Sequence, residues 1–126
     1  MSKNMSDSIT SELLQEWVSA VKSGDPKRVT SLYNDDGILL GTFSSKERIG
    51  HELILEYFEN LLKSPVEVQI VSEHLSVFES VAVNSGHYNF ATGGKTINAR
   101  FSFVYEKDDG EWKILSHHSS VMPESG

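Results

Sequence analysis

The sequence predicts an α+β domain whose helices come first and whose strands come last. Two apolar stripes at helical spacing occupy the first half: Ile9, Leu13, Leu14, Trp17, Val18 and Val21, then Leu53, Ile54, Tyr57, Phe58, Leu61 and Leu62. Recurrence every three or four residues marks helices with one buried face. From Val66 the pattern changes to strand-like runs over 66–78, 80–92, 96–107 and 111–121, and two of their joints, TGGK and KDDGE, are hairpin turns. Helices followed by antiparallel strands give the α+β class.

Taken in order, Thr10 or Ser11 is placed to cap the first helix, and KSGD ends it with Gly24. DPKRVTSLYN restarts a short helix, with Asp25 as cap and Pro26 at the first helical position. DDG at 35–37 turns the chain into a short buried strand, ILLGTF. A third helix is expected from about Ser45 to Lys63, bent near Gly50 and stopped by Pro65. We expect a single domain over 9–123 behind a flexible segment over 1–8, with no internal repeat or linker.

Composition narrows the function. A chain of 126 residues with 38% hydrophobic content can bury a real core. Its net charge of −7 disfavours nucleic acid and anionic membrane as partners. There is no cysteine, which excludes disulfides, thiol nucleophiles and thiolate metal sites. No apolar run reaches the length of a membrane span, and MSKNMSDSIT lacks the apolar core of a signal peptide, so a cytoplasmic location is expected. The five histidines, at 51, 74, 87, 117 and 118, show no metal-ligand spacing, and no cofactor is called for.

Three stretches carry a family resemblance: VKSGDPKRVTSLYNDDG, GHELILEYFENLL and DDGEWKILSHHSSVMP. With them the chain resembles the association (hub) domain of calcium/calmodulin-dependent protein kinase II and its free-standing bacterial relatives. These lie in the nuclear transport factor 2-like (NTF2-like) superfamily, beside the ketosteroid isomerase and SnoaL polyketide cyclase branches. YFENLL and the pattern formed by Trp112, His118, Ser120 and Pro123 are its more specific parts. The resemblance implies a cone, in which a strongly curved antiparallel sheet wraps around helices and leaves a pocket at the open end. It also implies assembly with itself through packed sheets. No kinase motif is present. Where hub domains carry pocket arginines able to hold an anion, this chain has His87, Phe103 and Ser119, so anion binding does not transfer.

Strand alternation sends His117 and His118 to opposite sides. On the 96–107 run, Ile97, Ala99, Phe101, Phe103 and Tyr105 form the core face, opposite Thr96, Asn98, Arg100, Ser102 and Val104. On the last run, Leu115, His117, Ser119 and Val121 oppose Trp112, Ile114, Ser116, His118 and Ser120, and Trp112 and Leu115 pull opposite ways. The resemblance implies that the His117 face lines the pocket and the Trp112 face meets a partner. The expected pocket residues are therefore His87, Asn89, Phe101, Phe103, His117, Tyr33 and Tyr57. The expected interface is Arg100, Ser102, Trp112, His118 and Ser120.

Inward acids are scarce: Glu67, Glu73, Glu79 and Glu106 sit at positions expected to be exposed or near strand ends, and Asp35 and Asp36 read as turn formers. The leading expectation is a self-associating domain that holds a small, partly apolar molecule without processing it. The second is an isomerase or cyclase using His87 and His117 with Tyr57 or Tyr33 as acid and base. A third is a purely structural adaptor for another protein.

Overall fold

The computed structural model describes residues 3–123, with side chains from residue 11 onward. Three helices, α1 (Lys3–Ser23), α2 (Pro26–Thr30) and α3 (His51–Leu61), accompany six strands. The strands are β1 (Tyr33–Leu40), β2 (Arg48–Ile49), β3 (Val66–Phe78), β4 (Val81–Thr92), β5 (Lys95–Asp108) and β6 (Glu111–Val121). The α+β class stands. Asp25 caps α2 by accepting from the Lys27 and Arg28 backbone amides, and both hairpin turns form.

Three element boundaries differ from expectation. The first is β1, which runs from Tyr33 to Leu40 rather than over ILLGTF, so the expected DDG turn lies inside the strand, at a register shift between Tyr33 and Ile38. α1 is already helical from Lys3, ahead of the expected cap at Thr10 or Ser11. The side chains of Ile9 and Thr10 lie outside the described residues, as do residues 1 and 2 of the expected flexible segment. The first part of the expected third helix is instead a loop and β2, which pairs Ile49 with Ile38. The break falls at Gly50, whose φ of +90° no helix interior accepts. Arg48 is buried just before it, donating to Glu56 of α3 at 2.5 Å and to the Leu53 carbonyl at 3.3 Å.

The strands form one sheet in the order β2-β1-β6-β5-β4-β3. It is mixed rather than wholly antiparallel, because β1 runs parallel to β6, with Leu39 opposite His117. The hairpin-linked strands end with β6, and β1, delivered from the helical half, occupies the edge β6 leaves open.

Trp17 of α1 shows how strongly this sheet curves. Its ring lies 5.8 Å from Tyr88 on β4, 5.4 Å from Phe103 on β5 and 5.2 Å from His117 on β6. Its Nε1–H donates to the Tyr33 hydroxyl on β1 at 3.2 Å. Neighbouring strands are about 4.8 Å apart, so a flat sheet would spread these four partners over about 14 Å. One indole reaches all four because the sheet wraps around α1.

Two β-bulges shape the concave face. In β3 the register shifts between Ile70 and Ser72, which turns Val71 outward at 53% exposure and brings Glu73 onto the inner face opposite Gly86. A Cβ on Gly86 would stand 2.0 Å from the Ser72 carbonyl oxygen. Gly86→Ala is therefore expected to cost about 1–3 kcal/mol, as overpacking does, and the measurement is the urea midpoint at unchanged m-value. The second bulge, between Val104 and Tyr105 on the β5–β6 ladder, leaves Leu115 as the extra residue. Among the described residues no helix is long and apolar enough to cross a membrane.

Candidate functional site

The second bulge resolves the conflict on β6. With Leu115 taken up as the extra residue, Ile114 pairs with Tyr105 before it and His117 pairs with Phe103 after it, so both point inward. Trp112 shares the parity of Ile114, packs partly buried against the core, and lines a hollow with Leu13, Leu32 and Tyr105. Trp112 therefore does not belong to the outer face with His118 and Ser120. Its removal from the expected interface set is a consequence of the bulge, which alternation alone does not contain.

On β4 the parity is also opposite to expectation. Ala82, Asn84, Gly86, Tyr88 and Phe90 face inward, while His87 and Asn89 pair with Arg100 and Asn98 on the outside. His87 and His117 lie on opposite faces of the sheet. The acid–base pair the two would form is not assembled, and His87 and Asn89 leave the pocket set. The signal available in the sequence was the aromatic pair Tyr88 and Phe90, which belongs with the aromatic face of β5.

What does come together inside is a chain of buried polar groups. The Tyr33 hydroxyl lies 2.7 Å from His117 Nδ1, and the Tyr88 hydroxyl lies 3.1 Å from His117 Nε2. Tyr88 donates to Ser119 Oγ at 2.6 Å, and Ser119 Oγ lies 2.5 Å from Thr42 Oγ1. With Trp17 bound to Tyr33, six side chains from α1, β1, β6, β4 and the loop after β1 form one continuous path. The His117 ring stacks on Phe103 with centroids 3.9 Å apart, and Phe101 packs beside it at 5.5 Å from Phe103. Tyr57 reaches the same space from α3, its hydroxyl accepting from the Phe43 amide at 3.4 Å.

The electrostatics follow from burial. Desolvation, with a smaller repulsion from His118, lowers the His117 pKa to about 3, so the imidazole is neutral at pH 7. Burial pushes the Tyr57 phenol up to about 12 and raises Tyr33 and Tyr88 as well, so all three carry their protons. Beside this path lies a cavity of about 10 Å³, room for about one water. Its lining includes Tyr57, Phe58, Tyr88, Phe90, His117 and Ser119, and, among the described residues, no carboxylate. Phe43, 40% exposed, lies edge-on against Phe90 with centroids 5.4 Å apart.

Glu73 differs from its expected exposure. It is half-buried on the inner face, accepting from Asn84 Nδ2 at 3.1 Å and from Ser11 at 3.4 Å. It thus belongs to the seam between α1 and β3–β4 and does not line the cavity. Asp35 and Asp36 are exposed and lie within β1 rather than in a turn, where Asn34 Oδ1 accepts from the Asp36 amide at 2.9 Å beside the strand's register shift. Among the described residues no three histidines or acids gather as metal ligands.

Outside, register sets two polar rows across β4, β5 and β6: His87–Arg100–Ser120 and Ser85–Ser102–His118. Arg100, Ser102 and His118 are exposed, and Ser85 and Ser102 hydroxyls lie 2.8 Å apart.

Comparison with known proteins agrees with this fold. The SnoaL-like domain family matches residues 11–124. A solved structure from Xanthomonas campestris, assigned provisionally as a calcium/calmodulin dependent protein kinase II association domain, is 39% identical with a TM-score of 0.87. The match covers 91% of this chain and 86% of that one. An NTF2-like protein of unknown function from Pseudomonas putida KT2440 superimposes with a TM-score of 0.85 at 17% identity, over 99% of this chain and 92% of that one. A provisionally assigned ketosteroid isomerase from Parabacteroides distasonis gives 0.76 at 21% identity, over 91% and 86%. The last two speak for the fold alone.

Proposed function

The chain belongs to the SnoaL-like domain family, within the NTF2-like superfamily, and from that premise we propose that it is a self-associating domain that holds a small molecule without transforming it. The observation that carries this reading is the state of His117. It is the histidine turned into the cavity, and both its ring nitrogens are already engaged by tyrosine hydroxyls. A general base needs a free lone pair within reach of substrate, and here Nδ1 and Nε2 are occupied while no carboxylate among the described residues lines the cavity.

Assembly through the outer sheet face is supported by its chemistry. Arg100, Ser102, His118 and Ser120 form a polar patch, to which His87 adds a buried Nε2 with no partner among the described residues. An unpartnered buried nitrogen costs about 1–3 kcal/mol, and a change of rotamer onto a facing sheet would relieve it. Native mass spectrometry of the purified protein tests the reading, with a dimer or larger assembly expected. Arg100→Glu is expected to weaken that assembly at least tenfold, about 1.4 kcal/mol. A wild-type protein that stays monomeric at tens of micromolar overturns the proposal.

A further inference from the structure

The start of β6 has an open edge, and a hollow of about 260 Å³ lies along it. Glu111, Trp112, Lys113 and Ile114 all line this space, with Leu13 and Glu16 of α1 among the residues that complete it. Consecutive strand residues face opposite sides of a sheet, so a space that touches four in a row runs along the strand's edge. β5 pairs with β6 on one side, whereas β1 joins on the other only from Tyr33, opposite Ile114. There the Ile114 amide donates to the Leu32 carbonyl at 2.9 Å. The N–H and C=O of a strand residue point the same way, and those of the next residue point the opposite way. Two positions back, Trp112 therefore turns its N–H and C=O toward the side of β1, where no strand pairs with it. Lys113, between them, turns its own to Glu106 on β5.

The surroundings of that free backbone pair are apolar and acidic. Leu13, Leu32 and Trp112 supply apolar wall. Lys113 is engaged, its ammonium donating to the Ser31 carbonyl at 3.0 Å and standing 4.0 Å from the Glu111 carboxylate. Lys107 lies over the Trp112 ring and does not line the hollow. Glu16 is exposed and has no ion-pair partner among the described residues. Tyr105, which also lines the hollow, registers the same sign of field: burial first, then the charges of Glu73 and Glu16, raise its phenol above the ordinary value.

We propose that this hollow binds a small cationic amide with an apolar side chain, an amino-acid amide being the simplest member of the class. Its α-ammonium donates to the Trp112 carbonyl and its own carbonyl accepts from the Trp112 amide, as one residue of an added strand would. The positive charge faces Glu16, and the side chain rests against Leu13, Leu32 and the indole. A neutral N-acylated amide leaves Glu16 unmatched, and an amine without a carbonyl leaves the Trp112 N–H unmatched. A free amino acid brings a carboxylate toward Glu16 and Glu111. The hollow shares no lining residue with the cavity beside His117 and includes none of Arg100, Ser102, His118 and Ser120. The site therefore stands whether or not the protein self-associates or fills its inner cavity.

The test is a titration of the full chain with leucinamide, followed by nitrogen–proton NMR. Saturable binding with a Kd of about 1 mM is expected for a molecule this small, with the largest shift at the Trp112 backbone amide. N-acetyl-leucinamide, isoamylamine and leucine each lack one of the matches and are expected to bind at least about threefold more weakly. Glu16→Gln, a change at an exposed position, is expected to lose roughly three- to fivefold in leucinamide affinity, the worth of one exposed ion pair. In the ligand-free protein the Trp112 amide is expected to exchange with solvent at least about tenfold faster than the Lys113 amide. Equal affinity for any of the three analogues, full affinity in Glu16→Gln, or no saturable shift at Trp112 overturns the proposal. A Trp112 amide as protected as that of Lys113 in the free protein does so too, since the edge would then already be filled.

Discussion

Trp17→Ala is expected to destabilise the protein by about 3–5 kcal/mol, the range for emptying a large buried aromatic site. The indole is 2% exposed and touches β4, β5 and β6 at once while bonding to β1. No neighbouring side chain can collapse into its place without unbending the sheet. Since a domain of this kind holds only about 5–15 kcal/mol in all, the loss is a large share. Denaturant unfolding by fluorescence and circular dichroism measures it. Trp17→Phe separates packing from bonding: it keeps most of the aromatic volume and removes the hydrogen bond to Tyr33, worth about 1 kcal/mol. A Trp17→Ala loss below about 1 kcal/mol would mean that the helix does not hold the curved sheet.

Stability is also expected to fall steeply in acid because of His117. Its pKa is about 3 in the folded protein against 6.5 for the ordinary side chain. Between those values the unfolded chain binds a proton that the folded one refuses. The unfolded state therefore holds more protons, and stability rises with pH across that window and is lost as pH drops from 6.5 toward about 3. The slope this single group can supply is up to about 1.4 kcal/mol per pH unit. Urea midpoints at pH 7, 5.5 and 4.5 give the wild-type slope, and the same series for His117→Gln subtracts the carboxylates common to both. Parallel slopes in the two proteins would mean that His117 takes up its proton as readily in the folded state as in the unfolded one.

Both expectations depend on side chains whose roles were unequally visible beforehand. The strand runs from Val66 onward and the two hairpins were legible because alternation and turn chemistry are local properties, readable within a few residues. The inward aromatics of β5 and the capping by Asp25 were legible for the same reason. The segment before Gly50 was not, since the burial of Arg48 against Glu56 depends on where α3 lies. Tyr88 was missed while His87 and Asn89 were assigned to the pocket, a choice of parity that the neighbouring strand makes. Trp112 was placed outside and Glu73 near the surface for a related reason: each is separated by a bulge from the part of its strand that reads clearly.

By itself, then, the sequence determined the α+β class, the order of helices and strands, the family resemblance, and the separation of His117 from His118 onto different faces. These follow from periods of 3.6 and 2, from turn residues and from short motifs. Only the tertiary structure decided which histidine could enter the interior, that β1 joins β6 in parallel, and that six side chains form one polar path. The bond from Tyr33 to His117 spans 84 positions, and the bulges at Val71 and Leu115 arise from cross-strand pairing. Local preference is silent at that range. Burial settles it, because each enclosed hydroxyl and ring nitrogen must find a partner or cost the fold about 1–3 kcal/mol.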